Sequence, residues 1–275
     1  MPALVSTVSD LRRALAGSRA GRIGMVPTMG ALHDGHVSLV AEARKHADHV
    51  VVSIFVNPTQ FAPHEDFDAY PRTLDADMAR LGDTADIVFA PNAREMYPDG
   101  YATTVTVAGP AHGLETDFRP HFFAGVATVV AKLLIAASPD VAVFGEKDYQ
   151  QLLVVKQLAR DLALPTDIVG APTLREADGL AMSSRNAYLA PQERAVAGRL
   201  NLVLKDVIAS ARSGSLREAE AAGIEALYKA GFDHVDYVAI RDAATLDHVA
   251  ALEHPARLLA AARIGKTRLI DNMSI

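Results

Sequence analysis

Three observations predict a doubly wound parallel α/β domain followed by a smaller α+β domain. Short runs rich in Val and Ile alternate with helix-like segments through the first two-thirds of the chain. These runs are continuously apolar rather than alternating, which marks strands covered on both faces, as in a parallel sheet. From about residue 174 the order changes to two long helical segments followed by three strand-like ones.

Taken in order, Ile23–Val26 is the first expected strand, and Val37–Ala47 the helix after it. Val50–Val56 reads as strand, Leu74–Leu81 as helix and Ile87–Phe89 as strand. Thr103–Val107 alternates Thr with Val and is expected to be an exposed strand, either isolated on the surface or an edge used in dimer pairing. Phe123–Ala137 is a buried helix, interrupted by Lys132 and too short to span a bilayer. Val141–Phe144, the helix Gln150–Leu162 and the short strand Ile168–Val169 complete a first domain, 1–173. In the second, 174–275, Pro191–Arg212 and Leu216–Ala230 are helical around the turn Ser213-Gly214-Ser215. Val235–Ile240, Arg257–Ala262 and Thr267–Ile270 follow as strands.

Composition narrows the function classes. The chain has 275 residues, half of them hydrophobic, and a formal charge of −6, which argues against a general nucleic-acid binder. It has no cysteine, so disulfides, thiol catalysis and cysteine-held zinc are excluded. Met1–Asp10 shows no basic stretch leading into an apolar core, so no secretory signal is expected. No membrane partner is expected either, and the default location is the cytoplasm.

Four polar clusters each follow an expected strand or the domain junction, where ligands of such sheets bind. Pro27-Thr28-Met29-Gly30-Ala31-Leu32-His33-Asp34-Gly35-His36 puts two histidines at a helix N-terminus, where unpaired N–H groups and the helix dipole favour an anion. Phe55-Val56-Asn57-Pro58-Thr59-Gln60-Phe61 offers the amides of Asn57 and Gln60. Gly145-Glu146-Lys147-Asp148-Tyr149-Gln150-Gln151 offers Lys147 to a phosphate and Asp148 to a ribose hydroxyl or a helix cap. Arg175-Glu176-Ala177-Asp178-Gly179-Leu180-Ala181-Met182-Ser183-Ser184-Arg185-Asn186 sets two hydroxyls beside an arginine, a good phosphate clamp. Each alone also fits ordinary turn or helix-end chemistry.

As an ordered set they are more specific. An HxGH motif with a late Met-Ser loop resembles the paired signatures of nucleotidylyltransferases and class I aminoacyl-tRNA synthetases, whose core is Rossmann-like. PTMGALHDGH, FVNPTQF, DAYPRTLDAD, FGEKDYQQ and READGLAMSSRN, continued by Val235-Asp236-Tyr237 and Thr267-Arg268-Leu269-Ile270-Asp271-Asn272, resemble the pantoate–β-alanine ligase family over nearly the whole chain. The resemblance implies ATP-dependent condensation of pantoate with β-alanine through a pantoyl adenylate, with Mg²⁺, in a cytoplasmic homodimer. It implies that Met29, Gly30, His33, His36, Gly145, Lys147, Asp148, Leu174 and Met182 to Arg185 (with Ser183 and Ser184 between) hold ATP. His36 matches the family's proton donor, and His33, Lys147, Ser183, Ser184 and Arg185 share the catalytic role. Met182–Arg185 would be a mobile clamp, and the second domain would close over the site. Thr28, Met29, Gln60 and Gln151 would hold pantoate, with Gln60 also touching β-alanine.

Two segments depart from the family pattern. Asp75-Ala76-Asp77 keeps Asp77 as the candidate Mg²⁺ ligand but replaces a polar neighbour by Ala76. Arg119-Pro120-His121-Phe122-Phe123 shifts its histidine by one, so no role is carried to His121; Arg119 is kept and is expected to steady the site from the dimer side. His46, His49, His64, His112, His234, His248 and His254 match no motif and read as surface or structural. A nucleotidylyltransferase that leaves AMP on its product, and a non-catalytic adenylate-binding module, are the alternatives. Nothing in the first predicts FVNPTQF or FGEKDYQQ, and intact His33, His36, Lys147 and Ser183-Ser184-Arg185 argue against the second.

Overall fold

The structure, a computed structural model, describes residues 1–62 and 65–275, so His64 lies outside the described residues. The chain divides into two units, each described by itself: Met1–Glu146 with Gln151–Pro172, and Lys147–Gln150 with Thr173–Ile275.

In the first unit, β1 (Ala3–Val5), β2 (Ile23–Thr28), β3 (His49–Ile54), β4 (Ile87–Phe89), β5 (Val141–Gly145) and β6 (Asp167–Ala171) form one sheet. Its order is β1-β4-β3-β2-β5-β6, and every pairing is parallel. Ile23, Met25, Val26 and Val50 to Val52 have no exposed surface, which is the two-sided burial their unbroken apolar runs require. The helices are α1 (Val8–Ala16), α2 (Asp34–His46), α3 (Leu74–Leu81), α4 (Ala93–Met96), α5 (Glu115–Phe118), α6 (Phe122–Ala137) and α7 (Tyr149–Asp161). Val40 and Ala43 of α2 pack on Val26, Val50 and Val52. The connections leaving β2 run to β3 on one side, and β5 pairs with β2 on the other. The carboxyl ends of β2 and β5 therefore flank the point where strand order reverses, the usual binding crevice of an open α/β sheet.

The first unit departs from expectation in three places. β1 is only three residues long, and α1 is not among the expected elements although Thr7 caps it by accepting the Asp10 N–H and Leu11 and Leu15 are fully buried. Helix α2 starts at Asp34, three residues earlier than its apolar pattern, because His33 caps it. Thr103–Val107 is not a strand: Val105 donates its N–H to Thr128 Oγ1 of α6 at 2.9 Å, and Val107 is buried. Within the chain its alternation records one side lying against a helix.

The second unit contains α8 (Pro191–Ala197), α9 (Leu200–Ala211), α10 (Leu216–Ala230) and the antiparallel strands β7 (His234–Asp242), β8 (Ala256–Ile264) and β9 (Thr267–Ser274) in the order β7-β8-β9. Leu200, Leu204 and Leu227 pack on Leu258, Ala260 and Ala262. The single helix expected over Pro191–Arg212 breaks at Gly198-Arg199, where a Cβ on Gly198 would meet the Asp178 carboxylate. Strand β9 runs four residues past its expected end, because Asp271 and Asn272 are polar yet buried.

Candidate functional site

The turn after β2 is braced from three sides. Thr28 Oγ1 donates to the Ser53 carbonyl at 2.7 Å and accepts the Gly30 N–H at 3.2 Å. Gly30 has φ +82°, and a Cβ there would lie 3.0 Å from Ile54 Cγ2 and 3.1 Å from Asp77 Oδ2, so only glycine passes. Asp77, buried in α3, accepts the N–H of Ala31 at 3.0 Å and of Leu32 at 2.7 Å. The Gly30 N–H is held inside the turn.

The helix end is also not bare. His33 Nδ1 accepts the Gly35 N–H at 3.2 Å, and His36 Nδ1 accepts the His33 N–H at 3.3 Å, a capping box made of two imidazoles 4.1 Å apart. A ring nitrogen that accepts carries no proton, so each neutral imidazole bears its hydrogen on Nε2. Each ring therefore keeps one donor, its Nε2–H.

Beyond β3, Asn57 organises the second cluster. It is 1% exposed, and its Oδ1 accepts from Tyr97 at 2.7 Å and from Thr59 Oγ1 at 3.0 Å. Its Nδ2 donates to Gln60 Oε1 at 3.1 Å and to the Gly125 carbonyl at 3.2 Å. Gln60 Nε2 in turn donates to Met29 Sδ at 3.0 Å, which brings Thr28, Met29 and Gln60 together at the end of β2. Gly125 of α6 is indispensable here, since a Cβ would sit 2.6 Å from Thr59 C and 2.9 Å from Gln60 N. Arg119 steadies the cluster from its own chain: it donates to the Gln60 carbonyl at 3.2 Å and to Glu65 at 2.6 Å, and stacks 3.8 Å from the Phe122 ring. Burial raises the Tyr97 phenol above its ordinary 10.0, keeping it a donor. Gly145 ends β5, and Gln151, half-buried, stands in the first turn of α7.

In the second unit, Lys147 Nζ lies 3.8 Å from Asp148 Oδ2. The Arg175–Ala181 segment is a tight hairpin: Arg175 bridges Ala181, and Glu176 donates its N–H to the Leu180 carbonyl at 2.8 Å. Asn201 Nδ2 donates to the Asp178 carbonyl at 3.0 Å, and Arg194 binds the Asp178 carboxylate at 2.6 and 3.1 Å. The Arg194 guanidinium holds that carboxyl below its ordinary 3.8. Met182 donates its N–H to the Leu174 carbonyl at 3.0 Å, and Ser183 Oγ accepts the Arg185 N–H at 3.3 Å, starting the 3-10 turn Ser184–Tyr188. Leu174 is 40% exposed.

The described residues offer no ready-made cage for a divalent ion. Each Asp77 oxygen accepts a backbone N–H, so the carboxylate expected to take Mg²⁺ also pins the turn. Among the described residues no group of three or more His, Asp or Glu is gathered for a metal. His46, His112, His121, His234, His248 and His254 are exposed, and His49 opens β3. Sequence reasoning missed Tyr97, 40 residues from Asn57 and outside any quoted motif. No helix among the described residues is long and apolar enough to cross a membrane.

The chain is similar to known proteins over its whole length. A model of the pantoate-beta-alanine ligase family matches residues 3–274. The pantothenate synthetase of Mesorhizobium japonicum is 55% identical over 278 residues, covering 100% of this chain and 98% of that protein. That of Caulobacter vibrioides is 53% identical over 281 residues, covering 100% and 99%. Among solved structures, a pantothenate synthetase from Thermus thermophilus superposes with a TM-score of 0.93 at 49% identity, covering 98% of each chain. A pantoate-beta-alanine ligase from Francisella tularensis, complexed with beta-gamma ATP and beta-alanine, gives 0.84 at 35% identity, covering 99% and 97%.

Proposed function

The chain belongs to the pantoate–β-alanine ligase family, and on that premise we propose that it condenses pantoate with β-alanine, consuming ATP and releasing AMP and pyrophosphate. The observation that carries the residue-level reading is the histidine cap, which turns the start of α2 into two Nε2–H donors.

In the first step a pantoate carboxylate oxygen bonds to the α-phosphorus of ATP, and the bond to pyrophosphate breaks. His33 and His36 donate hydrogen bonds through Nε2–H to phosphate oxygens as charge develops, His36 toward the leaving pyrophosphate. In the second step the β-alanine amine attacks the acyl carbon of the pantoyl adenylate, AMP leaves with the electron pair, and the nitrogen gives up a proton. Gln60, its carbonyl oxygen held by Asn57, offers its NH2 to pantoate oxygens; Thr28, Met29 and Gln151 complete that set. Gly145, Lys147, Asp148, Leu174 and Met182 to Arg185 hold ATP, Lys147 and the Ser183-Ser184-Arg185 group on phosphate. Mg²⁺ would enter with ATP and offset the negative charge of its phosphates. The family resemblance further supports a homodimer working in the cytoplasm.

An AMP-release assay with ATP, pantoate and β-alanine, each omitted in turn, tests the reading. AMP that needs both organic substrates is the expected result. A product that retains AMP would favour nucleotidylyl transfer to another acceptor, and silence in folded protein would favour a binding module.

A further inference from the structure

Two adjacent side chains of β9 reach the Lys147 stretch assigned above to ATP and the hairpin that leads into another, Met182–Arg185. Asp271, its side chain fully buried, takes both guanidinium nitrogens of Arg175, at 2.7 and 2.9 Å. Arg175 carries the hairpin: it donates to the Gly179 carbonyl at 2.9 Å and bridges Ala181, the residue before Met182. The neighbouring Asn272 donates its Nδ2 to the Lys147 carbonyl at 2.8 Å. Its Oδ1 accepts from Arg257 Nε at 2.7 Å, and an arginine can only donate, so the amide cannot turn round. Arg257 also stacks 4.0 Å from the ring of Tyr149, whose hydroxyl donates to the Ala243 carbonyl at 2.8 Å.

A carboxylate without exposed surface is a poor source of stability, since desolvation offsets much of what its pairing gains. Its return lies in geometry. One short piece of strand is the common reference for the Lys147–Asp148 turn and for the hairpin that leads into Ser183, Ser184 and Arg185. We propose that Asp271 and Asn272 are positioning residues for ATP, fixing the lysine and the phosphate-clamp loop relative to each other. The proposal rests on the assignment of Lys147 and Met182–Arg185 to ATP.

Three variants of the full chain separate the two ideas, with KM for ATP and for pantoate read from AMP release. Asn272→Ala removes the donor to Lys147. Its KM for ATP should rise about three- to tenfold, as for one lost positioning hydrogen bond, with the pantoate KM within about twofold. Arg257→Ala, which frees the amide to rotate, should move the same constant in the same direction and decides the matter if Asn272→Ala does not fold. Unchanged constants, or a parallel rise in both, would overturn the positioning role. Lys147→Ala is the control: normal ATP kinetics there would sink the site assignment itself, whereas a defect there with normal Asn272→Ala would sink the positioning proposal alone.

Discussion

The Tyr97 hydroxyl donates to Asn57 Oδ1 at 2.7 Å, and this bond decides which end of two successive amides faces which way. With its oxygen occupied, Asn57 must offer its NH2 to Gln60 Oε1, and Gln60 must then present its own NH2. Replacing Tyr97 by Phe leaves only Thr59 to hold Asn57 Oδ1. The KM for pantoate should rise about threefold or more, in line with one lost hydrogen bond, while the KM for ATP stays put. Steady-state kinetics with each substrate varied provides the check, and an unchanged pantoate KM would remove Tyr97 from the network's function.

In the proposed reaction His33 has two jobs on two nitrogens, and they can be separated. His33→Asn keeps a good N-cap but loses Nε2. Urea unfolding should shift by no more than about 0.5 kcal/mol, since asparagine is among the best capping residues. Turnover should fall roughly a hundredfold or more, the usual effect of losing one transition-state donor. A fall in stability with turnover preserved would reverse the assignment.

Asp77→Asn should weaken folding, not metal dependence. Asparagine can accept only at one atom, so one of the Ala31 and Leu32 N–H groups is left facing an NH2. The cost is about 1–3 kcal/mol, the penalty for an unsatisfied buried donor. The Mg²⁺ concentration giving half-maximal rate should not move; a marked increase would make Asp77 a ligand.

Acid should loosen the hairpin at Asp178. Its side-chain bond to Arg194, the largest cause, lowers its pKa below 3.8. A folded pKa below the unfolded one adds stability above the unfolded value, and this is lost as pH falls through the folded one. Urea midpoints for the wild type should therefore drop faster below about pH 4 than those of Asp178→Asn. Parallel curves would show that the pair contributes nothing measurable.

Much of this was legible in the sequence because it rests on local pattern. Unbroken apolar runs such as Val50–Val52 announce a two-sided sheet, and Pro27–His36 announces its ligand-side turn. What escaped depends on distant pairing. Nothing near Val105 reveals that Thr128 will take its N–H, so its alternation read as a strand. That Asp77 pins two backbone amides 45 and 46 residues away was not legible, because such a pairing has no local signature. The histidines were recognised, yet their mutual capping through Nδ1 is a matter of angles that letters do not carry.

The bond from Asn272 to Lys147 spans 125 residues, and that from Arg175 to Asp271 spans 96. Contacts so far apart form late, because the intervening chain must first be drawn together. On the proposed assignment, nucleotide affinity should be among the last properties a refolding molecule acquires. Far-ultraviolet circular dichroism should recover ahead of ATP binding, and ATP, able to reward only the completed meander of β7 to β9, should slow unfolding without hastening collapse.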